Sequence, residues 1–160
     1  MDHEMIANAF FWDSYIAPST HPDAKISDIF FAIFGHLPFW LKALLISRNK
    51  IAALFGLEAP TISEIINSEV KASYTTGDKI GPWPIFTLTD RELVAGRDNK
   101  HLDFRLSILR TTDHGGCDVV VSTVCNTHNT FGKIYLFFIV PFHKWGVQRL
   151  IIGAIRAGRL

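Results

Sequence analysis

The sequence has few cysteines and no grouping of residues typical of a metal site. Its two cysteines, Cys117 and Cys125, fall at the two ends of one predicted strand. At about 3.3 Å per residue they are too far apart to form a disulfide within the chain. The seven histidines are scattered, and no pair of histidines or cysteines has the spacing of metal ligands. We therefore expect no disulfide framework, no metal and no cofactor.

The chain also lacks blocks of like charge and long apolar runs. The net charge is +1, and the basic residues near the C-terminus are spread along a predicted helix, which argues against nucleic acid as a partner. The longest apolar stretches, residues 29–41 and 134–142, are shorter than the roughly 20 residues that a membrane span needs. The N-terminus has no signal-peptide pattern. We expect a cytoplasmic protein without a transmembrane segment; the oligomeric state stays open.

What the sequence has in abundance is bulky apolar side chains. Of its 160 residues, 48% are hydrophobic, with thirteen Phe and four Trp. This length and composition predict a single domain, residues 1–160, with residues 1–9 as a loose terminus. A strand is predicted at residues 9–17, ended by Pro18. Two helices should follow, one from Pro22 to Gly35 and one from Pro38 to Gly56, forming a helical corner. Residues 58–75 favour neither helix nor strand.

The second half of the chain reads as a meander followed by a helix. Strands are predicted at residues 83–89, 92–97, 100–110 and 118–126, joined by turn-rich segments. Asn129 or Thr130 can cap a last helix that runs to about residue 157, with a kink at Pro141. The fold class is therefore α+β: a curved antiparallel sheet of four to six strands wrapped around a long C-terminal helix, with two short helices after the first strand.

The clearest chemical pattern is the strict alternation of residues 101–108. Polar side chains point to one sheet face and apolar ones to the other. If Asp98-Asn99 forms a two-residue hairpin loop, Glu92 pairs with Arg105. The interpretation stays open between a solvated face of ordinary cross-strand ion pairs and a patch that fixes a ligand's head group. A Ser-His-Asp arrangement can be assembled, but no motif selects one. The polar candidates are Glu92, His101, Asp103 and Arg105.

The order of elements resembles the helix-grip (START-like, birch-pollen-allergen-like) superfamily. Within it, the sequence is similar to a bacterial family known as domain of unknown function 2867. The resemblance spans residues from about 11 to the C-terminal helix, and its most specific parts are HLDFR at 101–105 and PFH at 141–143. Further matching positions are residues 38–40, 48–49, 55–57, 77–78, 81–82, 92–94, 96, 107, 122–124, 128–129, 132–133 and 135. The resemblance implies the fold and a ligand-sized cavity, and it implies no activity.

The favoured function is binding of a small apolar or amphipathic molecule between the sheet and the last helix. We expect Tyr135, Phe138, Ile139 and Phe142 to face the concave side of the sheet near Leu102, Phe104 and Leu106. One alternative is a cofactor-free cyclase or hydrolase that uses His101, Asp103 and Arg105. The other is an interaction module that docks on a membrane surface or a protein. A filled core with an exposed aromatic patch would favour the interaction module.

Overall fold

The computed structural model of the protein describes residues 3–54, 70–112 and 116–160. We number the elements in chain order. The helices are α1 (His3–Ala7), α2 (Ile26–Phe34), α3 (Phe39–Leu54) and α4 (Thr130–Arg156). The strands are β1 (Phe11–Ser19), β2 (Lys79–Ile80), β3 (Trp83–Leu88), β4 (Glu92–Asp98), β5 (Leu102–Thr111) and β6 (Cys117–Thr127). The predicted fold class is confirmed: an antiparallel sheet, a long C-terminal helix, and helices after the first strand.

The six strands form one sheet in the order β1-β6-β5-β4-β3-β2. Each strand from β3 to β6 pairs with its sequence neighbour, whereas β1 lies beside β6 at the sheet edge. This position explains why β1 continues through Pro18 to Ser19, beyond the predicted end of the strand. An edge strand tolerates proline because one side of its backbone needs no hydrogen-bond partner. The N-terminal residues were also mispredicted, since α1 occupies part of the expected loose terminus.

The predicted register of the β4–β5 hairpin is wrong by four residues. Glu92 lies opposite Leu109 instead of Arg105, and Asp98 lies opposite Asp103. The side-chain oxygen of Asn99 accepts hydrogen bonds from the backbone N–H groups of His101 and Leu102, at 3.0 and 3.1 Å. The turn therefore closes around Lys100 and His101, because Asn favours such side-chain-to-backbone turns. An even shift keeps every side chain on its predicted sheet face.

The helix-covered face of the sheet holds the main core. Ile29 and Ile33 of α2 pack there with Leu93 of β4 and Ile108 of β5, all at most 2% exposed. α2 ends at Phe34 with Gly35 as its C-cap, and α3 follows at an angle of 89°, which confirms the helical corner. Pro22 lies before α2 and outside it, contrary to the prediction. A second, smaller cluster beneath the start of α4 contains Leu102, Cys125 and Leu136.

α4 begins as predicted but faces the sheet with a different side. The Asn129 side chain accepts a hydrogen bond from Gly132 N at 3.0 Å, so it is the N-cap. The buried positions on α4 are Gly132, Leu136, Gly146, Val147, Leu150, Ile151 and Ala154. The small residues in this set allow close approach, as Gly146 does against Leu41. Phe138 and Phe142, which we expected to face the sheet, are 63% and 54% exposed. Tyr135 and Ile139 are partly buried.

Some predictions fall outside the described residues. These are the first part of the ambiguous segment 58–75, namely residues 58–69, the end of the second helix at residues 55–56, and the loop at residues 113–115. The side chain of Arg48 belongs with them, whereas Asn49 on the same helix is 8% exposed.

Candidate functional site

The outer side of α4 carries a continuous stripe of exposed apolar residues. We call it the aromatic face; its members are Ile134, Phe137, Phe138, Phe142 and Trp145. They recur at intervals of three and four residues, so they lie on one side of the helix. Phe137 and Phe138 are 75% and 63% exposed, and their rings contact edge-to-face at 5.4 Å. Scattered exposed apolar residues are ordinary on a protein surface, but a contiguous stripe is typical of an interaction site.

The helical corner extends this surface. The Trp40 ring lies 4.4 Å from the Trp145 ring, centroid to centroid, so the start of α3 joins the aromatic face. Phe39, the residue before Trp40, is 86% exposed. This contact is long-range in sequence, and the repeating pattern of α3 contained no sign of it. The aromatic surface is therefore composite, built from the start of α3 and from α4.

All charged side chains on α4 are basic. The helix contains Lys133, Lys144, Arg149 and Arg156, and it has no Asp or Glu. The Lys144 ammonium lies 5.6 Å from the Phe11 ring, and the Arg149 guanidinium lies 5.7 Å from the Trp145 ring. Aromatic rings hold cations at such distances through their electron-rich faces. Positive charge therefore lies beside the aromatic face at Lys144 and at its C-terminal end at Arg149.

The polar face of β4 and β5 is present, but its side chains pair with other residues than predicted. The Arg105 guanidinium hydrogen-bonds both carboxylate oxygens of Asp98, at 3.0 Å for the Nη2–Oδ2 pair. It also lies 3.6 Å from the Phe86 ring centroid. Glu92, the predicted partner of Arg105, instead accepts a hydrogen bond from Ser107 at 2.7 Å. Arg105 is thus held by local contacts on the face opposite the helices.

His101 and Asp103, the candidate catalytic pair, each contact a different residue. Asp103 lies 3.0 Å from His128 Nε2, and the ring of His101 lies within hydrogen-bond distance of the Asn129 side chain. His101 thereby joins the β4–β5 turn to the start of α4, where its ring also contacts Phe131 at 4.8 Å. These contacts are structural ties between loop, strand and helix cap, and they give no support to a catalytic dyad of His101 and Asp103.

A polar cluster beneath α4 escaped the sequence analysis. Asp13 of β1 is 9% exposed and accepts a hydrogen bond from Tyr15 at 3.0 Å. His143 Nε2 of α4 lies 3.3 Å from the same carboxylate. Burial raises the pKa of Tyr15, and the hydrogen bond to Asp13 raises that pKa further. Thr123 lies directly opposite Asp13, and its buried hydroxyl has no hydrogen-bond partner among the described residues. The sequence did contain one sign of this cluster: Asp13 and Tyr15 are two residues apart on a predicted strand and therefore share a sheet face.

The surface of the described residues has open depressions, and these residues contain no cluster of metal ligands. Two open surface depressions, of about 430 and 490 Å³, lie near Thr20–Ala24 and near Thr112, Gly116 and Cys117, at the end of the sheet away from the N-terminal half of α4. No group of three or more His, Cys, Asp or Glu residues among these residues could hold a metal ion. Within the same residues, no single helix is long and apolar enough to span a membrane; only α2 and α3 together reach that length, and they are sharply bent.

The sequence matches, over residues 5–150, the model of the family described as Protein of unknown function (DUF2867). The chain belongs to this family. The matched region of the DUF2867 chain includes all six strands and most of α4. No curated protein and no solved structure matches it. The description of the DUF2867 family names no activity, so the functional argument rests on the geometry of the chain.

Proposed function

We propose that the protein docks on an anionic membrane surface through the aromatic face of α4. The observation that carries this proposal is the exposure of five apolar side chains along one side of a helix whose charged residues are all basic. Helices that lie in the membrane interface combine an apolar side with Lys and Arg beside it, and they bind without crossing the bilayer. The helical corner adds Trp40 to the same surface, and the neighbouring Phe39 is 86% exposed.

The energetics favour this arrangement. Full burial of a Phe side chain contributes about 1.5–3 kcal/mol, so the exposed parts of Phe137, Phe138 and Phe142 would contribute about 1–2 kcal/mol each. Each Lys or Arg near an anionic bilayer adds about 1 kcal/mol. The indole rings of Trp40 and Trp145 suit the boundary between headgroups and acyl chains, where Trp is enriched in membrane proteins.

A membrane fits the shape and charge of this surface better than a protein partner does. The aromatic face is the convex outside of a helix, and side chains from a convex surface insert readily into a lipid layer. A protein partner for such a helix would have to supply an apolar groove. The basic residues of α4, Lys133, Lys144, Arg149 and Arg156, are complementary to anionic headgroups.

The test is sedimentation of the protein with vesicles of phosphatidylcholine, with and without phosphatidylglycerol. We expect binding to the anionic vesicles and its loss in the double variant Phe137→Ser, Phe138→Ser. Val70→Ser is the matched control, because Val70 is 68% exposed and lies outside the aromatic face. Absence of binding to anionic vesicles, or equal binding by the double variant, would refute the proposal. The aromatic face would then be a site for a protein partner.

The polar cluster beneath α4 supports a second candidate function. We propose that a small amphipathic molecule binds there, with its polar group at Asp13 and Thr123 and its apolar part near Leu102, Phe104 and Leu106. The support is the unpartnered buried hydroxyl of Thr123, because such groups are rare in folded proteins. The START-like resemblance agrees with this location.

A ligand retained through purification would be detected by native mass spectrometry. The variant Thr123→Val removes the hydroxyl and keeps the shape, so it should lower the retained fraction. Phe138→Trp, on the outer side of α4, should leave it unchanged. Wild-type protein without any bound small molecule, together with no saturable binding of an apolar fluorescent probe, would eliminate this candidate.

A further inference from the structure

The edge strand β1 presents an unusual surface. Its nine residues pair with β6 on one side only, and no strand in the described part of the chain covers the other side. A long open edge offers unpaired backbone N–H and C=O groups to another strand. The opposite edge of the sheet, β2, has two residues, Lys79 and Ile80, and is too short to pair extensively.

The side chains of β1 do not protect this edge. On the face away from the helices, Trp12 and Ile16 are 66% and 72% exposed, with the exposed Ser14 between them. Protected edges carry an outward lysine, an inward charge or a central proline. The one charge on the strand, Asp13, is already bound by Tyr15 and His143. Pro18 lies near the end of the strand, where it limits pairing to about residues 11–17.

The sequence of the strand is complementary to itself. An antiparallel pairing of two copies centred on Ser14 places Trp12 of each copy opposite Ile16 of the other. Aromatic and β-branched residues in directly opposite positions stabilise a sheet. Asp13 falls opposite Tyr15, so no like charges face each other directly. We infer that two copies of this chain pair through β1, in this register, to form a two-fold symmetric dimer with one continuous twelve-stranded sheet.

This dimer has a consequence for membrane docking, which rests on the proposed function. The two-fold axis of an antiparallel strand pair runs perpendicular to the sheet, so the helix-covered faces of both copies lie on the same side. Each α4 buries Leu136, Val147 and Leu150 toward the sheet and turns its aromatic face away from it. Both aromatic faces therefore point in one direction, and a flat bilayer can contact them at once.

The first experiment measures the molar mass in solution by sedimentation equilibrium, without vesicles. We expect the mass of two chains for the wild type and of one chain for Ile16→Lys, because lysine on a strand edge opposes pairing. Val70→Lys introduces the same charge at a position of similar exposure, 68% against 72%, and should remain a dimer. A monomeric wild type, or a dimer in Ile16→Lys, would overturn the inference. Circular dichroism of both variants checks that the fold is retained.

The second experiment tests the register. In the inferred pairing the two Ser14 Cα atoms are about 4.5–5.5 Å apart, within the range of a disulfide. Ser14→Cys should therefore form a covalent dimer under mild oxidation. The two Ile16 residues are offset by four positions, about 13 Å along the strand, so Ile16→Cys should not. The wild type, with Cys117 and Cys125, sets the background. A dimer that Ser14→Cys fails to cross-link would refute pairing centred on Ser14.

The third experiment separates this inference from the proposed function. If two aromatic faces engage one bilayer, the monomeric Ile16→Lys should bind anionic vesicles at least about tenfold more weakly than the dimer, since linked sites gain avidity. It should still bind more tightly than the same variant with Phe137→Ser and Phe138→Ser. Equal affinity of monomer and dimer would refute the joint engagement of two faces. If the dimeric wild type did not bind anionic vesicles, membrane docking would be refuted, whereas the inferred dimer would still hold.

Discussion

Replacing Gly132 by Ala distinguishes helix propensity from tertiary packing. Gly132 lies in the first turn of α4, where its N–H binds the Asn129 side chain. Propensity alone predicts that alanine stabilises the helix, because glycine in a helix costs about 0.5–1 kcal/mol relative to alanine. The structure predicts the opposite. An added Cβ would overlap the carbonyl oxygen of His101 and lie 3.2 Å from its carbonyl carbon.

The size of the effect follows from what must move. The overlapping atom belongs to the backbone of the β4–β5 turn. Two contacts fix this turn: the hydrogen bonds to the Asn99 side chain, and a hydrogen bond of 2.9 Å that the His128 N–H donates to His101 O. Relief therefore requires a shift of α4 away from the turn. Overpacking of this kind typically costs about 1–3 kcal/mol, more than the gain in propensity. We expect Gly132→Ala to lower the free energy of unfolding by about 1–2 kcal/mol.

Gly153→Ala is the matched control within the same helix. Apart from the chain neighbours and the nearby backbone of α4 itself, no atom of the described residues lies within 4 Å of a Cβ added at Gly153. Only propensity therefore acts there, and we expect stabilisation by up to about 1 kcal/mol. Urea unfolding followed by circular dichroism measures both variants against the wild type. Opposite signs would support the close approach of α4 to the turn. If Gly132→Ala stabilised the protein as Gly153→Ala does, the placement of this helix end would be wrong.

Three further predictions concern the polar clusters and the core. Tyr15→Phe should lessen the loss of stability that occurs as the pH rises above about 10, because the raised pKa of Tyr15 means that folding disfavours its ionised form. An equal fall of the urea midpoint in both proteins between neutral and alkaline pH would contradict this. Arg105→Leu should lower the free energy of unfolding by about 1–2 kcal/mol, since Asp98 is half exposed and stays hydrated after losing its partner. A loss of about 3–5 kcal/mol in the urea melt would instead indicate an enclosed charge. Leu136→Ala, in the small cluster beneath α4, should cost about 2–5 kcal/mol, and a change under 1 kcal/mol would show that this cluster is not packed.

Local patterns were sufficient for most of the elements. The alternation of residues 101–108 gave the correct strand and the correct division between polar and apolar faces. It did so even with the wrong register, since a shift by four residues preserves the face of every side chain. The sequence offered Asn129 or Thr130 as the cap, and the structure has Asn129, whose hydrogen bond reaches only three residues along the chain. These features depend on near neighbours, and a single sequence contains that information.

The candidate site depended on contacts between distant segments. α4 is apolar nearly all round between residues 134 and 142, so periodicity could not show which side would be buried. Packing decided it: Gly132, Gly146 and Ala154 allow close approach, and the opposite side was left as the aromatic face.

The pairing of Asp13 with His143 joins residues 130 positions apart, and that of Trp40 with Trp145 joins the two helical segments. Local propensity determined the helices and strands. The close packing of α4 on the sheet decided which side chains meet beneath this helix and which remain exposed on it. Such packing depends on two surfaces together, so neither segment alone contains the information.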